Sequence, residues 1–481
     1  MRTIRWAVVS VLASALAVAF VVPAAGLESD RGAGEVAGVY VADFVATAAT
    51  GAAMNDLGDV AGTSYPDPGC GPFCLPPLDT VVWRGGNRIV LPALPGFTGI
   101  YVRSINNQGW VAGFAGFPST TTRAVVWKPN GTGYQIINLG VLPGTTRSEA
   151  VGIDDQGRVV GWSTTGSFPP TGAPFVWTEA TGMEDLSAQG FPDELPLAIS
   201  PGGTVATASA WYRLGDPGSV SFLPPAPQSF AVGTYPTAIN DNGDQARFLV
   251  NIGPQNLVYL FRFHHEGTWQ MLSGAGTGQL STYGIGSING ARDVSATVQS
   301  TGVVAPGPNG LAGPLQDLLS PAYGAAGVER GGPMNASGQI LSRLMIGNSP
   351  RLVKLTPAAG CDSACIVVSS LVIRGRFVED PSEPGNCSPQ GAAFNLVGVR
   401  VSVKDENGAP LAGVVVKGRF LDDYWTNKVV SGTTSAAGMV GFKNKGPCGV
   451  GAVAFLVDAA TLPPRDFDRT TGKVTAFVIP K

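Results

Sequence analysis

The chain has 481 residues, with 66 glycines, 38 prolines, only 14% charged residues and a formal net charge of −3. That length exceeds one ordinary core, so two or more domains are expected. The weak acidic balance leaves no electrostatic footprint for nucleic acid or an anionic membrane.

Residues 1–26 read as a secretory signal peptide. Arg2 and Arg5 give the positive start, Ala7 to Val22 the apolar run, and Pro23-Ala24-Ala25-Gly26 a small-residue cleavage region. The rival, a membrane anchor, needs a longer span than this run supplies. Removing the segment takes two arginines, leaving 29 basic against 34 acidic residues and a charge of −5. The mature chain is expected outside the cytoplasm, periplasmic or extracellular, without membrane association.

Many short apolar runs separated by Gly/Pro turns point to an all-β protein. One element recurs: M-N-D-L-G at Met54, I-N-N-Q-G at Ile105, I-D-D-Q-G at Ile153, I-S-P-G-G at Ile199, I-N-D-N-G at Ile239, I-N-G-A-R at Ile288 and M-N-A-S-G at Met334. The steps are 51, 48, 46, 40, 49 and 46 residues, a period that predicts a propeller with one four-stranded blade per copy. In the third copy, Ala150 to Ile153 is the first strand, Asp154-Asp155-Gln156-Gly157 the hairpin turn, and Arg158 to Trp162 the return. A third strand ends in Trp83, Trp127 or Trp177, whose rings are expected between blades, and a short apolar fourth follows. The last copy lacks an evident fourth strand, while Val39 to Phe44 is a strand without a blade of its own. The N-terminal strand is therefore expected to complete a seventh blade and close the ring, removing exposed edges. The copies at Ile199 and Ile288 are degenerate, which leaves six or eight blades open.

The S-x-A-x-x-I-N-x-x-G-x-V-x-G core, the A-x-x-W strand and Leu139 to Gly144 (L-G-V-L-P-G) resemble the bacterial HAF extracellular repeat family across residues 38–358. The family's His-Ala-Phe triplet is here Arg123-Ala124-Val125 and Gly172-Ala173-Pro174. The resemblance implies a secreted β-propeller-like array and brings no catalytic residues with it.

From residue 359 the repeat stops. Val399 to Lys404 alternates apolar and polar residues, turns at Asp405-Glu406-Asn407-Gly408, and strand-like runs continue from Leu411 to Phe420 and Val440 to Phe442. This pattern is similar to secreted bacterial Ig-like or carboxypeptidase-regulatory-like sandwiches, which implies a β-sandwich serving as spacer or accessory module over residues 359–481. The six cysteines fit an oxidising compartment. They fall as Cys70/Cys74, Cys361/Cys365 and Cys387/Cys448, although six allow 15 connectivities. A Cys387–Cys448 bridge closes a long loop, worth about 4 kcal/mol in the chain-entropy model. Metal binding is the rival reading, but C-x₃-C spacing with no nearby His fits zinc poorly.

No nucleophile elbow, H-E-x-x-H or phosphate-cradling loop is present. His264 and His265 are expected in a solvated turn, and Asn240 to Asp244 is expected as turn chemistry, since the downstream Glu of a calcium loop is missing. No cofactor or metal is expected. Binding is expected on the face that carries the long, dissimilar second-to-third connections: Thr63–Asp79, Phe114–Arg123, Ser163–Gly172 and Ser209–Gly218. Tyr65, Phe73, Phe114, Phe117 and Phe168 would expose aromatic rings there, and Arg103 and Arg147, near first-strand starts, would edge the channel mouth. The expectation is a secreted non-enzymatic binding or cell-surface protein recognising a glycan or protein. An enzyme acting on extracellular polysaccharide and a purely structural surface component are the alternatives.

Overall fold

The computed structural model describes residues 39–47, 49–65, 78–117, 121–166, 172–227, 230–251, 257–276, 284–324, 326–346, 349–376, 394–422, 427–450 and 453–478. The signal segment, Cys70, Phe73, Cys74, Phe168 and Cys387 lie outside these residues, as does the side chain of Cys448. The described chain is all-β, with nine four-stranded sheets and one four-residue α-helix, Leu315–Leu318.

Seven sheets carry the seven sequence copies. The second runs Ile100–Ile105, Val111–Ala115, Arg123–Asn130 and Gly133–Asn138; the third runs Arg147–Ile153, Val159–Thr164, Gly172–Thr178 and Gly182–Asp185. In the seventh, Gly327–Met334, Ile340–Ile346 and Ser349–Ala358 are joined by Val39–Thr47, which pairs antiparallel with Ser349–Ala358.

The turn motif is built the same way seven times. The side-chain oxygen of Asn55, Asn106, Asp154, Ser200, Asn240, Asn289 or Asn335 accepts from the backbone N–H four residues on, at 2.8–3.0 Å. The fourth motif position has positive φ, as at Gly157 (78°). The degenerate copies keep this geometry: Ser200 substitutes its hydroxyl, and Arg292 takes φ 70° where the other copies have Gly.

Alternate residues of each sheet pack toward opposite neighbours, which is why third strands such as Arg123–Asn130 and Gly172–Thr178 have unbroken apolar centres. Val125 and Trp127 face the first sheet's Ala61 and Val82, while Ala124 and Val126 face the third sheet's Ala150 and Val159. Trp83, Trp127 and Trp177 are all buried, as the sequence predicts. Three and four share Val160, Val205 and Tyr212; five and six share Phe248, Leu260 and Val294. Four and five are tied by the buried Arg247, which donates to the carbonyls of Thr207 and Ala208. Ser295 and Thr297 of the sixth sheet donate to Gly332 and Gly331 of the seventh. The seventh packs Leu341 and Leu352 on Met54 and Trp83 of the first.

Ser209–Gly218 is not a second-to-third connection. It is the strand Ala210–Arg213, a turn at Gly215 (φ 86°), and the start of Asp216–Phe222, a third-to-fourth hairpin at the opposite sheet end.

The last two sheets hold strands Met439–Val450, Phe394–Lys404, Cys365–Arg376 and Asp466–Asp468, and Asn427–Thr433, Val415–Asp422, Val453–Thr461 and Thr475–Val478. Val399, Val401, Phe420 and Phe455 belong to their apolar core, which is continuous with Tyr40, Tyr323 and Leu355 of the repeat region. Arg469 fixes that junction: it donates to Asp43 Oδ1 at 2.6 Å, to the Tyr323 hydroxyl at 2.7 Å and to the Ala42 carbonyl. The Cys361–Cys365 disulfide stands just ahead of the first strand of this region.

Candidate functional site

The first strands of the seven repeat sheets line one cavity of about 1020 Å³. At its turn end the Asx side chains reach the neighbouring copy. Asn55 Nδ2 donates to the Asn106 carbonyl (2.9 Å), Asn106 Nδ2 to the Asp154 carbonyl (2.8 Å), and Asn240 Nδ2 to the Asn289 carbonyl (2.9 Å). Asn107 Nδ2 bridges Asp56 and Asp155 at 3.0 and 2.8 Å. Asp154 has no amide to donate. Arg158 takes over, with Nε 2.6 Å from Asp154 Oδ2 and Nη1 donating to Leu214 O of the fourth sheet at 3.0 Å. These side chains are consumed in joining copies, so the turn end is scaffold.

The other end differs. Between Val102 and Ser104 the register shifts, so Arg103 is the extra residue of a bulge opposite Gly113. A Cβ on Gly113 would stand 1.9 Å from the Tyr101 carbonyl, which is why the repeat keeps glycine there. Bulging brings the Arg103 guanidinium 5.3 Å from the Phe114 ring centroid, in cation–π contact, on the cavity wall. Phe114 stacks on Tyr101 (centroids 4.8 Å, 17°), and Tyr101 meets Phe117 edge-on at 6.3 Å. Tyr101 is 37% and Phe117 44% exposed, so the ladder ends in solvent.

The third sheet supplies the facing charge. Glu149, paired across the strands with Trp162, lines the same cavity and is buried. Burial pushes its carboxyl above the ordinary value of 4.5, against the pull of Arg103, the Thr122 hydroxyl and Arg147. Four of the anticipated residues, Arg103, Phe114, Phe117 and Arg147, therefore meet at the junction of sheets two and three. Phe114 is corrected from an exposed loop ring to a buried strand residue that supports Arg103. Tyr65 follows the strand Val60–Ser64 in the first sheet and is half-buried. Tyr101 and Glu149 escaped the sequence reading. Both stand five residues before the turn Asx, where the first copy has Thr50, and that variation was the available signal.

His265 is exposed in the turn after the strand, as expected, with Nδ1 2.9 Å from Asp244 Oδ1, whereas His264 is buried at the strand end, 3.4 Å from Gln270 Oε1. Arg292 clamps Asp244 at 3.0 Å and Glu266 at 2.6 Å. Burial raises the Asp244 carboxyl, but hydrogen bonds from the His265 backbone, Asn240, His265 and Arg292 bring it below its ordinary value. Asp244, His265 and Glu266 lie close enough to share a cation, but the guanidinium occupies both carboxylates. The cluster is an ion-paired brace between sheets five and six.

No protein-family model and no curated protein matches the sequence. Among solved structures, a fungal alcohol oxidase of the AA5 family in complex with copper is 13% identical, covering 91% of this chain and 98% of its own, with a TM-score of 0.36. AofleA from Arthrobotrys oligospora is 9% identical over 86% and 90% of the two chains (TM-score 0.24). A PL25 ulvan lyase is 9% identical over 91% and 95% (TM-score 0.22). At these identities and scores none of them assigns a family or an activity. Among the described residues no helix is long and apolar enough to cross a membrane.

Proposed function

We propose that the chain is a secreted, non-catalytic carbohydrate-binding protein in which a closed seven-bladed propeller presents the binding rim and an Ig-like sandwich braces it. Ring closure is supported where the seventh sheet meets the first: Ala336 N donates to Asp56 Oδ1 at 2.7 Å, and Leu341 packs beside Met54. It is supported equally by the single cavity that all seven first strands line. Secretion is supported by the N-terminal sequence pattern and by the Cys361–Cys365 disulfide.

The observation that carries the binding reading is the ladder from Arg103 through Phe114 and Tyr101 to Phe117. Two exposed rings in mutual contact, beside a guanidinium in cation–π contact at a cavity, offer an apolar platform for sugar C–H faces and a donor to orient hydroxyls. Glycan-array binding tests it. The wild type binds a defined set of glycans, and the Tyr101→Ala/Phe117→Ala variant loses them with its melting temperature unchanged. Unchanged binding by the variant removes the ladder from the account, and capture of a protein in place of any glycan overturns it.

A second reading, cleavage of a polysaccharide, rests on Glu149, whose buried carboxyl is held toward its acid form, as a general acid requires. Reducing-end release by the wild type that Glu149→Gln abolishes would favour it over binding alone.

A further inference from the structure

We propose that the rim between the second and third sheets selects acidic polysaccharides, chains whose sugars carry carboxylates, over their neutral counterparts. The inference rests on the carbohydrate-binding reading and names the class of ligand for the same site.

Two arginines act electrostatically on the one buried carboxyl at the rim: Arg103, which lines the cavity with Glu149, and Arg147, which begins the strand that carries Glu149. That carboxyl is buried and held toward its neutral form, while the whole chain carries −3. Arg103 is the better placed of the two arginines. Its guanidinium lies 5.3 Å from the Phe114 ring centroid, it is exposed, and it sits on a strand bulge at the cavity wall. A guanidinium carries a planar N–H fork that matches a carboxylate with two parallel hydrogen bonds. Neutral hydroxyls leave most of that donor set unmatched.

Position supports the same conclusion. Tyr101 and Arg103 are two residues apart along one strand, about 7 Å at the usual rise per residue. A sugar ring stacked on Tyr101 therefore places its own carboxylate, or that of the next sugar, within reach of Arg103. Phe117, edge-on to Tyr101, extends the platform outward for a further unit. The site thus has an apolar outer part and a cationic inner part.

Affinity electrophoresis and calorimetry of the full chain with polygalacturonate and alginate, each beside its carboxyl-reduced form, test the proposal. The acidic polymer is expected to bind at least ten-fold tighter than its reduced form. Arg103→Gln should remove that preference, lowering binding of the acidic polymer far more than that of its reduced form. Arg213→Gln, an exposed arginine of the fourth sheet, should change neither, which separates the rim from general charge attraction. Equal binding of acidic and reduced forms overturns the acidic class and leaves carbohydrate binding standing. Loss of preference in both arginine variants also overturns the rim assignment. No binding to any polysaccharide overturns this proposal together with the function on which it rests.

Discussion

Replacing Asn106 with alanine tests the inter-sheet ladder most sharply. Its side chain accepts from Gln108 N (3.1 Å) and Trp110 N (2.8 Å) and donates to the Asp154 carbonyl (2.8 Å), all at a buried residue. Each bond contributes about 1 kcal/mol net, and the abandoned partners are incompletely hydrated. The Asp154 carbonyl keeps a second donor, Gly157 N, which limits the loss. We expect Asn106→Ala to cost about 2–3 kcal/mol. Asn106→Asp keeps both acceptor bonds but turns an oxygen toward the Asp154 carbonyl, without the arginine that relieves Asp154 in the third sheet. It should therefore be at least as harmful at neutral pH and recover in acid, where a protonated carboxyl can donate. Urea unfolding followed by tryptophan fluorescence and circular dichroism measures both, provided the two transitions coincide. A loss below about 0.5 kcal/mol for Asn106→Ala would show the ladder to be incidental to stability.

Gly161→Ala places a Cβ 2.1 Å from the Glu149 carbonyl, and an overpacking cost of about 1–3 kcal/mol should appear as a lower urea midpoint. Arg469→Ala removes the shared donor to Asp43, Tyr323 and Ala42, and should expose the junction of the two regions to limited proteolysis before either region unfolds. The Glu149 carboxyl is raised in the folded state, so the native protein holds a proton that the unfolded chain releases. Stability from this group therefore falls as pH rises from 4.5 through the folded value. Glu149→Gln should lack that fall, so its urea midpoint should gain on the wild type between pH 4 and pH 7.

Much of the scaffold was legible because its chemistry is local. The Asx oxygen and the positive-φ glycine act within five residues, so each copy shows them in its own sequence, and the strands ending in Trp127 and Trp177 show their two-sided burial as unbroken apolar runs. The sixth copy looked degenerate because Arg292 trades the freedom of glycine for ion pairs to Asp244 and Glu266, a backbone strain of about 1–2 kcal/mol offset by a clamp between sheets. Ser209–Gly218 read as loop because Asp216-Pro217-Gly218 carries turn residues. Those three residues open the edge strand Asp216–Phe222, where proline costs no ladder bond. The pairing of Arg103 with Glu149, and of Arg292 with Asp244, depends on packing between successive sheets, and no spacing within one copy encodes that.

The central claim, that ligand binds at the rim between sheets two and three, is tested most directly by hydrogen exchange with and without an array-positive polysaccharide. Protection is expected in Ile100–Ile105, Val111–Ala115 and Arg147–Ile153, with the turn end and the C-terminal sheets unchanged. Protection confined to strands of the C-terminal sheets, such as Val415–Asp422, would contradict the account and move the binding site to that region.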